Sequence, residues 1–229
     1  MVEIIITEIM EGVDIGDELL KYISDERKLR ISKLKKDDKK RCMLAELLIK
    51  KVAHDKLNLP VNSINIHTGI YGKPFISSTF GFDFNLSHSG RYIVIAVSNE
   101  QVGIDIEKRM CIDFKIAQRF YSEGELKAVT SLPSYSEKLS KFFQIWTLKE
   151  SYIKALGYGL YIPLNSFEIN LGDTISVTDN NYKSQFHLYT TELDDYYLSV
   201  CFKENCIDTN FSYLSEIQLV EYIKELYYV

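Results

Sequence analysis

The sequence predicts an α+β protein made of two halves. Twice along the chain a mainly helical region is followed by a group of strands, and no Gly/Ser/Pro-rich linker or internal repeat interrupts this order. With 229 residues, of which 46% are hydrophobic, the chain is long enough to bury a sizeable core. We place the boundary near residue 102, which gives an N-terminal half of residues 1–102 and a C-terminal half of residues 103–229.

The first half begins with a predicted strand over residues 2–9, followed by helices over residues 15–31 and 37–57. The second helix carries an apolar face at helical spacing. Its members are Leu44, Leu47, Leu48 and Val52. A strand over residues 63–68 and a glycine-containing turn over residues 69–74 come next. Residues 92–98 and 102–107 are rich in β-formers and flank Asn99-Glu100-Gln101, so they are predicted to pair as a hairpin.

The second half begins with a helix whose start is marked by a capping box, Ser122 with Glu125. A longer helix over residues 136–156 follows, and Gly157 and Gly159 end it. Its predicted buried face is Leu139, Phe142, Phe143, Trp146 and Ile153. Antiparallel strands are predicted over residues 166–171, 174–178, 184–189 and 196–202. An amphipathic helix through Leu214, Ile217, Val220 and Ile223 closes the chain.

Composition excludes several classes of protein. The charged fraction of 26% and the hydrophobic fraction of 46% exclude a disordered chain. No apolar run approaches the roughly 20 residues that cross a bilayer. Glu3 lies where a signal peptide would be basic, so we expect a cytoplasmic protein. No pair among the four cysteines forms C-x-x-C, which indicates reduced, packed thiols.

The net charge of −5 excludes a generally nucleic-acid-binding protein, but basic residues crowd residues 27–41. Such a run is most often a solvated helix surface. The alternative is a binding surface for a polyanionic ligand.

Three groups of residues have the composition of a reactive site. In Gly103-Ile104-Asp105-Ile106-Glu107, the two acids lie two apart on a strand and face the same side. Paired carboxylates suit Mg²⁺. For D-x-E alone, however, an ordinary half-buried strand with a polar outer face is the more common explanation. In the predicted long helix, Glu150 and Lys154 lie one turn apart. They are either a third acid with a phosphate-binding lysine or a surface ion pair.

The third group combines Tyr71-Gly72-Lys73-Pro74 with Phe84-Asn85-Leu86-Ser87-His88-Ser89-Gly90. We expect Ser87, His88 and Ser89 on a short loop, where hydroxyls and a histidine can bind phosphate. A Ser/His hydrolase fragment is the alternative, but G-x-S-x-G is absent. A lone loop histidine is also often only structural.

Taken together and in order, these segments resemble the signature of the 4′-phosphopantetheinyl transferases of the surfactin-synthetase-activating (Sfp) type. The matching segments are Gly72-Lys73-Pro74 with Phe84 to Ser89, Gly103 to Glu107, and Trp146 to Lys154 of W-x-x-K-E-S-x-x-K. The resemblance implies a pseudo-dimer of two similar α/β halves with the active site in the cleft between them. It also implies Mg²⁺-dependent transfer of the phosphopantetheine arm of coenzyme A to a serine of a carrier protein, with release of adenosine 3′,5′-bisphosphate.

The resemblance also assigns residues. Asp105, Glu107 and Glu150 match the metal ligands, and Glu150 is in addition the base proposed for the attacking serine. Lys154 matches a lysine that contacts the diphosphate and assists the leaving group; Lys149 belongs to the motif without a clear role. The implied contacts with coenzyme A are Arg27 and Arg30 (3′-phosphate), Arg41, Lys73 (near the adenine), Ser87, His88 and Lys154. Cys42 stands where the family often has a small hydroxyl residue.

The implied partner is an apo acyl or peptidyl carrier protein of fatty-acid, polyketide or nonribosomal peptide synthesis. Residues 108–135, with Lys108, Arg109, Arg119 and Lys127, are a candidate surface for an acidic carrier, or else a solvated flap. We expect a monomer that binds neither nucleic acid nor membranes. Two alternatives stay open: a catalytically silent module that binds coenzyme A or a carrier, and a nucleic-acid-binding protein that uses the basic segment.

Overall fold

The computed structural model describes residues 1–10, 17–77, 81–182 and 185–227. Its strands are β1 (Glu3–Glu8), β2 (Ile66–Thr68), β3 (Pro74–Ile76), β4 (Asp83–Ser89), β5 (Tyr92–Ser98), β6 (Val102–Lys108), β7 (Glu168–Leu171), β8 (Ile175–Thr178), β9 (His187–Leu193), β10 (Tyr196–Phe202) and β11 (Ser212–Ser215). Its α-helices are α1 (Asp25–Ile31), α2 (Lys36–Leu57), α3 (Lys115–Phe120), α4 (Glu123–Thr130), α5 (Tyr135–Leu156) and α6 (Glu216–Tyr227). Residues 15 and 16 of the first predicted helix, and residue 184 of a predicted strand, lie outside the described residues.

Two main sheets form the centre of the molecule. One has the order β11-β1-β5-β4 and the other β6-β10-β9. The two sheets enclose a shared apolar layer, in which Ile4 and Val94 of the first meet Ile104 and Leu198 of the second. Helix α2 covers the outer face of the first sheet, and α5 covers that of the second. The α+β class and the two-part architecture are confirmed.

The C-terminal segment returns to the first half. Strand β11 pairs in parallel with β1, with Tyr213 opposite Ile6. Helix α6 then buries Leu219 and Ile223 in the core formed by α2. The division into residues 1–102 and 103–229 stays a prediction. In the structure, the end of the second segment packs against the first.

The predicted hairpin between β5 and β6 is wrong. Strand β5 already has β1 on one edge and β4 on the other, so no free edge is left for β6. The chain therefore crosses to the second sheet, where β6 pairs with β10 and Asp105 lies opposite Ser199. The loop predicted around Ser87 is also wrong, because these residues complete β4, and Ser89 pairs with Tyr92 across the β4–β5 turn.

Several helix ends lie where the sequence places them. Ser122 and Ser134 both begin their helices with complete capping boxes, and Gly157 ends α5 at a φ of +79°, which glycine adopts without strain. The predicted first helix is instead a 3-10 turn, Asp17–Tyr22, followed by α1, whose first turn is capped by Ser24. The closing helix begins only at Glu216, because the preceding residues form β11.

Candidate active site

A row of polar side chains on β4 joins the two sheets. Strand β6 is the edge of its sheet on this side, so its backbone N–H groups need acceptors other than a neighbouring strand. Asp83 Oδ2 accepts the N–H of Val102 at 2.9 Å, and Asn85 Oδ1 accepts that of Ile104 at 2.9 Å. Side chains of β4 thereby replace a missing strand partner and fix β4 against β6.

The same row continues into the predicted acids. Ser87 Oγ donates to Asp105 Oδ1 at 2.8 Å, and Ser89 Oγ donates to Glu107 Oε2 at 2.9 Å. Both acids lie on one face of β6, as their spacing predicts, whereas Ile104 and Ile106 enter the core. Two carboxylates of the second half are therefore held by two hydroxyls of the first.

Helix α5 brings the remaining charged groups to β6. It comes so close that its backbone touches Gly103, where a Cβ would overlap the carbonyl oxygen of Ser151. This approach sets Lys154 Nζ 2.6 Å from Asp105 Oδ1 and 3.1 Å from Ser87 Oγ. An ammonium, a carboxylate and a hydroxyl thus meet at the junction of the halves.

The acids influence one another electrostatically. Burial, reinforced by the charges of Asp105 and Glu107, raises the pKa of Glu150 to about 7, although Lys154 acts in the opposite direction. Burial and the charge of Asp105 likewise raise the pKa of Glu107, against the effects of Ser89 and Lys154. The three carboxylates therefore form one region of concentrated negative charge, which a cation would stabilise.

These residues fit a magnesium ion without forming a complete cage. Within the described ranges, no three Asp, Glu, His or Cys side chains stand together as a ready-made metal site. However, Asp105 Oδ2 is buried and accepts no hydrogen bond from the described residues. Mg²⁺ commonly takes only one or two carboxylates, and completes its shell with water and substrate phosphate oxygens. The unpaired oxygen of Asp105 is what such an ion requires.

A cavity opens beside this charged centre, on the side of the first half. It brings together three of the residues predicted to contact a cofactor, Arg27, Arg30 and His88. Its other lining residues include Cys42, Glu46, Gly72, Pro74 and Leu86. Burial, helped by the charges of Arg41 and Lys154, lowers the pKa of His88 and so favours its neutral imidazole. Anionic groups placed here would meet two guanidinium groups.

Arg41 and Lys73 do not line the cavity. Arg41 is engaged by Asp38 at 2.7 Å and by the carbonyl oxygen of Gly90 at 3.3 Å. Lys73 Nζ lies 2.6 Å from Asp83 Oδ2, and it also donates to the backbone of β6. In this arrangement Lys73 supports the junction between the halves, and a contact of either residue with a cofactor stays a prediction.

Two structurally important residues were not identified as such from the sequence. Lys149, which has no clear role in the motif, is fully buried, and its ammonium lies 2.6 Å from both carboxylate oxygens of Glu125. The capping box already pointed to Glu125, which thus joins α4 to α5. Glu46 is buried in α2 and binds the start of α1. A single acid among the apolar residues of that helix was the available signal.

An apolar groove also borders the charged centre. Tyr71 of the first half and Leu160 and Tyr161 of the second line it together with Glu150 and Lys154. Tyr71 stands edge-on to Tyr161, with 5.1 Å between ring centroids. Residues from both halves therefore line this groove together with Lys154.

Comparisons with known proteins agree with this layout. Residues 101–201 match a family model described as the 4′-phosphopantetheinyl transferase superfamily, and residues 17–100 match one described as 4′-phosphopantetheinyl transferase, N-terminal. The chain is 42% identical over 185 residues to the 4′-phosphopantetheinyl transferase gsp of Aneurinibacillus migulanus, covering 80% of this chain and 76% of that one. It is 33% identical over 190 residues to the 4′-phosphopantetheinyl transferase Sfp of Bacillus subtilis, covering 81% and 84%.

A solved holo-(acyl-carrier-protein) synthase from Bacillus anthracis, in complex with CoA, is also similar. The match covers 44% of this chain and 93% of the synthase chain, with a TM-score of 0.41 and 20% identity.

Among the described residues, no helix combines the length and apolar character needed to cross a membrane.

Proposed function

The chain belongs to the 4′-phosphopantetheinyl transferase superfamily, and on that premise we propose that it transfers the phosphopantetheine arm of coenzyme A to a serine hydroxyl of a carrier protein with the help of Mg²⁺. The carrier's serine oxygen forms a bond to the phosphorus that bears the pantetheine. The bond from that phosphorus to the bridging oxygen of the diphosphate breaks, and adenosine 3′,5′-bisphosphate leaves with the bond's electron pair.

The observation that carries this proposal is the environment of Asp105. Its Oδ1 is bound by Ser87 and Lys154, whereas its Oδ2 is buried and unpaired. A buried carboxylate oxygen without a donor is costly unless a cation or a ligand completes the site. Asp105, Glu107 and Glu150 would hold Mg²⁺, which when bound offsets the negative charge of the diphosphate.

The remaining groups act on the substrates directly. Lys154 is placed to exchange its contact with Asp105 for the diphosphate and to stabilise the charge that develops on the leaving oxygen. Glu150, which lies one helical turn before Lys154 on α5, is the group that we propose accepts the proton of the serine hydroxyl. The cavity lined by Arg27, Arg30 and His88 would take the 3′-phosphorylated end of coenzyme A.

We further propose that the enzyme acts as a monomer in the cytoplasm on acyl or peptidyl carrier domains. Support for the monomer comes from the site itself, since β4 of the first half and β6 and α5 of the second supply it together. The surface from Lys108 to Tyr135, which carries Arg109 and Arg119, is the one we propose for the carrier.

The test is the mass of an apo carrier protein incubated with this protein, coenzyme A and Mg²⁺. A gain of one phosphopantetheine, prevented by a chelator, is expected. Asp105→Ala should lower kcat/KM by about 100-fold or more, because it removes the buried carboxylate at the reacting centre. Asp173→Ala, at an exposed turn, is the matched control and should leave transfer unchanged. Binding of coenzyme A without any transfer would indicate a silent binding module instead.

A further inference from the structure

Glu46 is a buried acid that faces the cavity. It lies in the middle of α2 and is only 1% exposed. Its Oε1 accepts the backbone N–H of Ser24 at 2.7 Å. Its Oε2 accepts a hydrogen bond from Ser24 Oγ at 3.2 Å and another from Arg27 Nε at 3.1 Å. One carboxylate therefore fixes both the N-cap of α1 and the first arginine of that helix.

The bond to Nε determines how Arg27 presents its remaining donors. A guanidinium is planar, so holding Nε leaves the two terminal nitrogens with little freedom to rotate. Among the residues that the structure describes, none accepts a hydrogen bond from Nη1 or Nη2 of Arg27, while Arg27 and Arg30 both line the cavity. The guanidinium of Arg27 is thus held in one orientation through Nε, and its two terminal nitrogens stay available to a ligand in the cavity.

We propose that Glu46 is a positioning residue that orients Arg27 toward the 3′-phosphate of coenzyme A, and that it thereby enables the enzyme to discriminate coenzyme A from 3′-dephospho-coenzyme A. This inference rests on the proposed function. The positioning role is distinct from the proposed transfer reaction. Transfer takes place at Asp105, Glu150 and Lys154, whereas Glu46 acts only through Arg27.

The charge balance around Glu46 is compatible with this role. Its carboxylate is shared with Lys50, whose ammonium lies 3.6 Å away and also donates to the carbonyl oxygen of Tyr22. Arg30 adds a further positive charge at the cavity, opposed by Glu26. Because the charge of Lys50 offsets the charge of Glu46, the two arginines retain their attraction for a phosphate. The conformational entropy of Arg27 is lost during folding rather than during binding.

Calorimetric titration with coenzyme A and with 3′-dephospho-coenzyme A tests the proposal. We expect the wild-type protein to bind coenzyme A more tightly than the dephospho compound. Glu46→Gln should weaken coenzyme A binding about tenfold, as loss of an orienting charged hydrogen bond would, and should change binding of the dephospho compound less than about twofold. In transfer assays, KM for coenzyme A should rise while kcat stays within about twofold.

A double-mutant cycle separates positioning from a general structural role. If Glu46 acts through Arg27, the double variant Arg27→Gln/Glu46→Gln should bind coenzyme A no more weakly than Arg27→Gln alone. Additive losses, or equal losses for both nucleotides, would overturn the proposal. Glu225→Gln, at an exposed position of α6, is the control for an ordinary loss of one negative charge.

Two further measurements keep the result interpretable. The melting temperature of each variant shows whether it is folded. If Glu46→Gln does not fold, Glu46→Asp keeps the charge near Lys50 but shortens its reach to Arg27, and the same selective loss is expected. A wild-type protein that binds neither nucleotide would overturn the proposed function as well. A wild-type protein that transfers, with discrimination unchanged in the Glu46 variant, would overturn only the positioning role.

Discussion

Gly103 on β6 and Ser151 on α5 are in contact through their backbones, and no side chain fits between them. A Cβ added to Gly103 would overlap the carbonyl oxygen of Ser151 and the amide nitrogen of Ala155. Because Lys154 lies on the same helix as these contacts, the separation of α5 from β6 determines its distance from Asp105. The glycine of the G-I-D-I-E segment is therefore a packing requirement of the site.

Gly103→Ala is predicted to damage both the fold and the site. The methyl group must push α5 away from β6, which we expect to lower the free energy of unfolding by about 1 to 3 kcal/mol. The same displacement moves Lys154 away from Asp105 and should lower kcat at least about tenfold. Urea unfolding and the transfer assay measure the two effects. Gly172→Ala is the control, since the nearest atom to an added Cβ is 3.8 Å away; equal behaviour of the two variants would contradict the prediction.

Lys149→Met is predicted to destabilise the protein strongly. Lys149 and Glu125 are both almost completely buried, and Glu125 also accepts the backbone N–H of Ile169 at 2.7 Å. Removing the ammonium leaves a buried carboxylate without its counter-charge, so we expect a loss of about 3 to 5 kcal/mol in the free energy of unfolding. Denaturant titration gives the value. Lys115→Met, at a lysine 83% exposed, should change it by less than about 0.5 kcal/mol.

The sequence was sufficient for the elements with strong local signals. The capping boxes of α4 and α5 and the glycine that ends α5 are local chemistry, and the structure has them where they were predicted. The spacing of Asp105 and Glu107 correctly placed both on one face of β6. A motif match also named the groups that meet there, including Ser87 and Lys154.

What the sequence did not reveal depends on long-range packing. Whether β6 pairs with β5 or with β10 depends on which edges are already occupied, and local β-propensity does not encode that. Ser87, His88 and Ser89 were predicted to lie on a short loop, but they are the end of β4. Strand β4 tolerates so many polar residues because Asp83 and Asn85 accept hydrogen bonds from backbone N–H groups of β6. The partners of Lys149 and Arg27 are likewise distant in sequence.

Asn85→Leu tests whether the side chains of β4 stabilise the edge of β6. Leucine has the same number of side-chain heavy atoms and the same branching but offers no acceptor to the N–H of Ile104, which lies 2.9 Å from Asn85 Oδ1 in a buried position. An unsatisfied buried N–H is expected to lower the free energy of unfolding by about 1 to 3 kcal/mol. Hydrogen exchange at Ile104 should become faster. Asn170→Leu, which removes an exposed hydrogen bond to Thr178, is the control, and an equally small effect of both variants would refute this role.

Glu150→Gln is predicted to stabilise the metal-free protein while it reduces activity. Burial and the neighbouring acids raise the pKa of Glu150 from its ordinary value of 4.5 to about 7. Between these two values the folded protein holds a proton that the unfolded chain releases. The contribution of Glu150 to stability is therefore greatest at low pH and falls as the pH rises through this window.

At pH 8 the charged Glu150 carboxylate therefore lowers the free energy of unfolding, by an amount on the order of 1 to 3 kcal/mol. Glutamine removes that penalty, so Glu150→Gln should unfold at a higher urea concentration than wild type at pH 8 and at a similar one at pH 4.5. Transfer should fall by about 100-fold or more, because the serine loses its proton acceptor. Glu221→Gln, at an exposed position of α6, should change neither property. A difference between Glu150→Gln and wild type that does not change with pH would show that ionisation of Glu150 does not destabilise the metal-free protein.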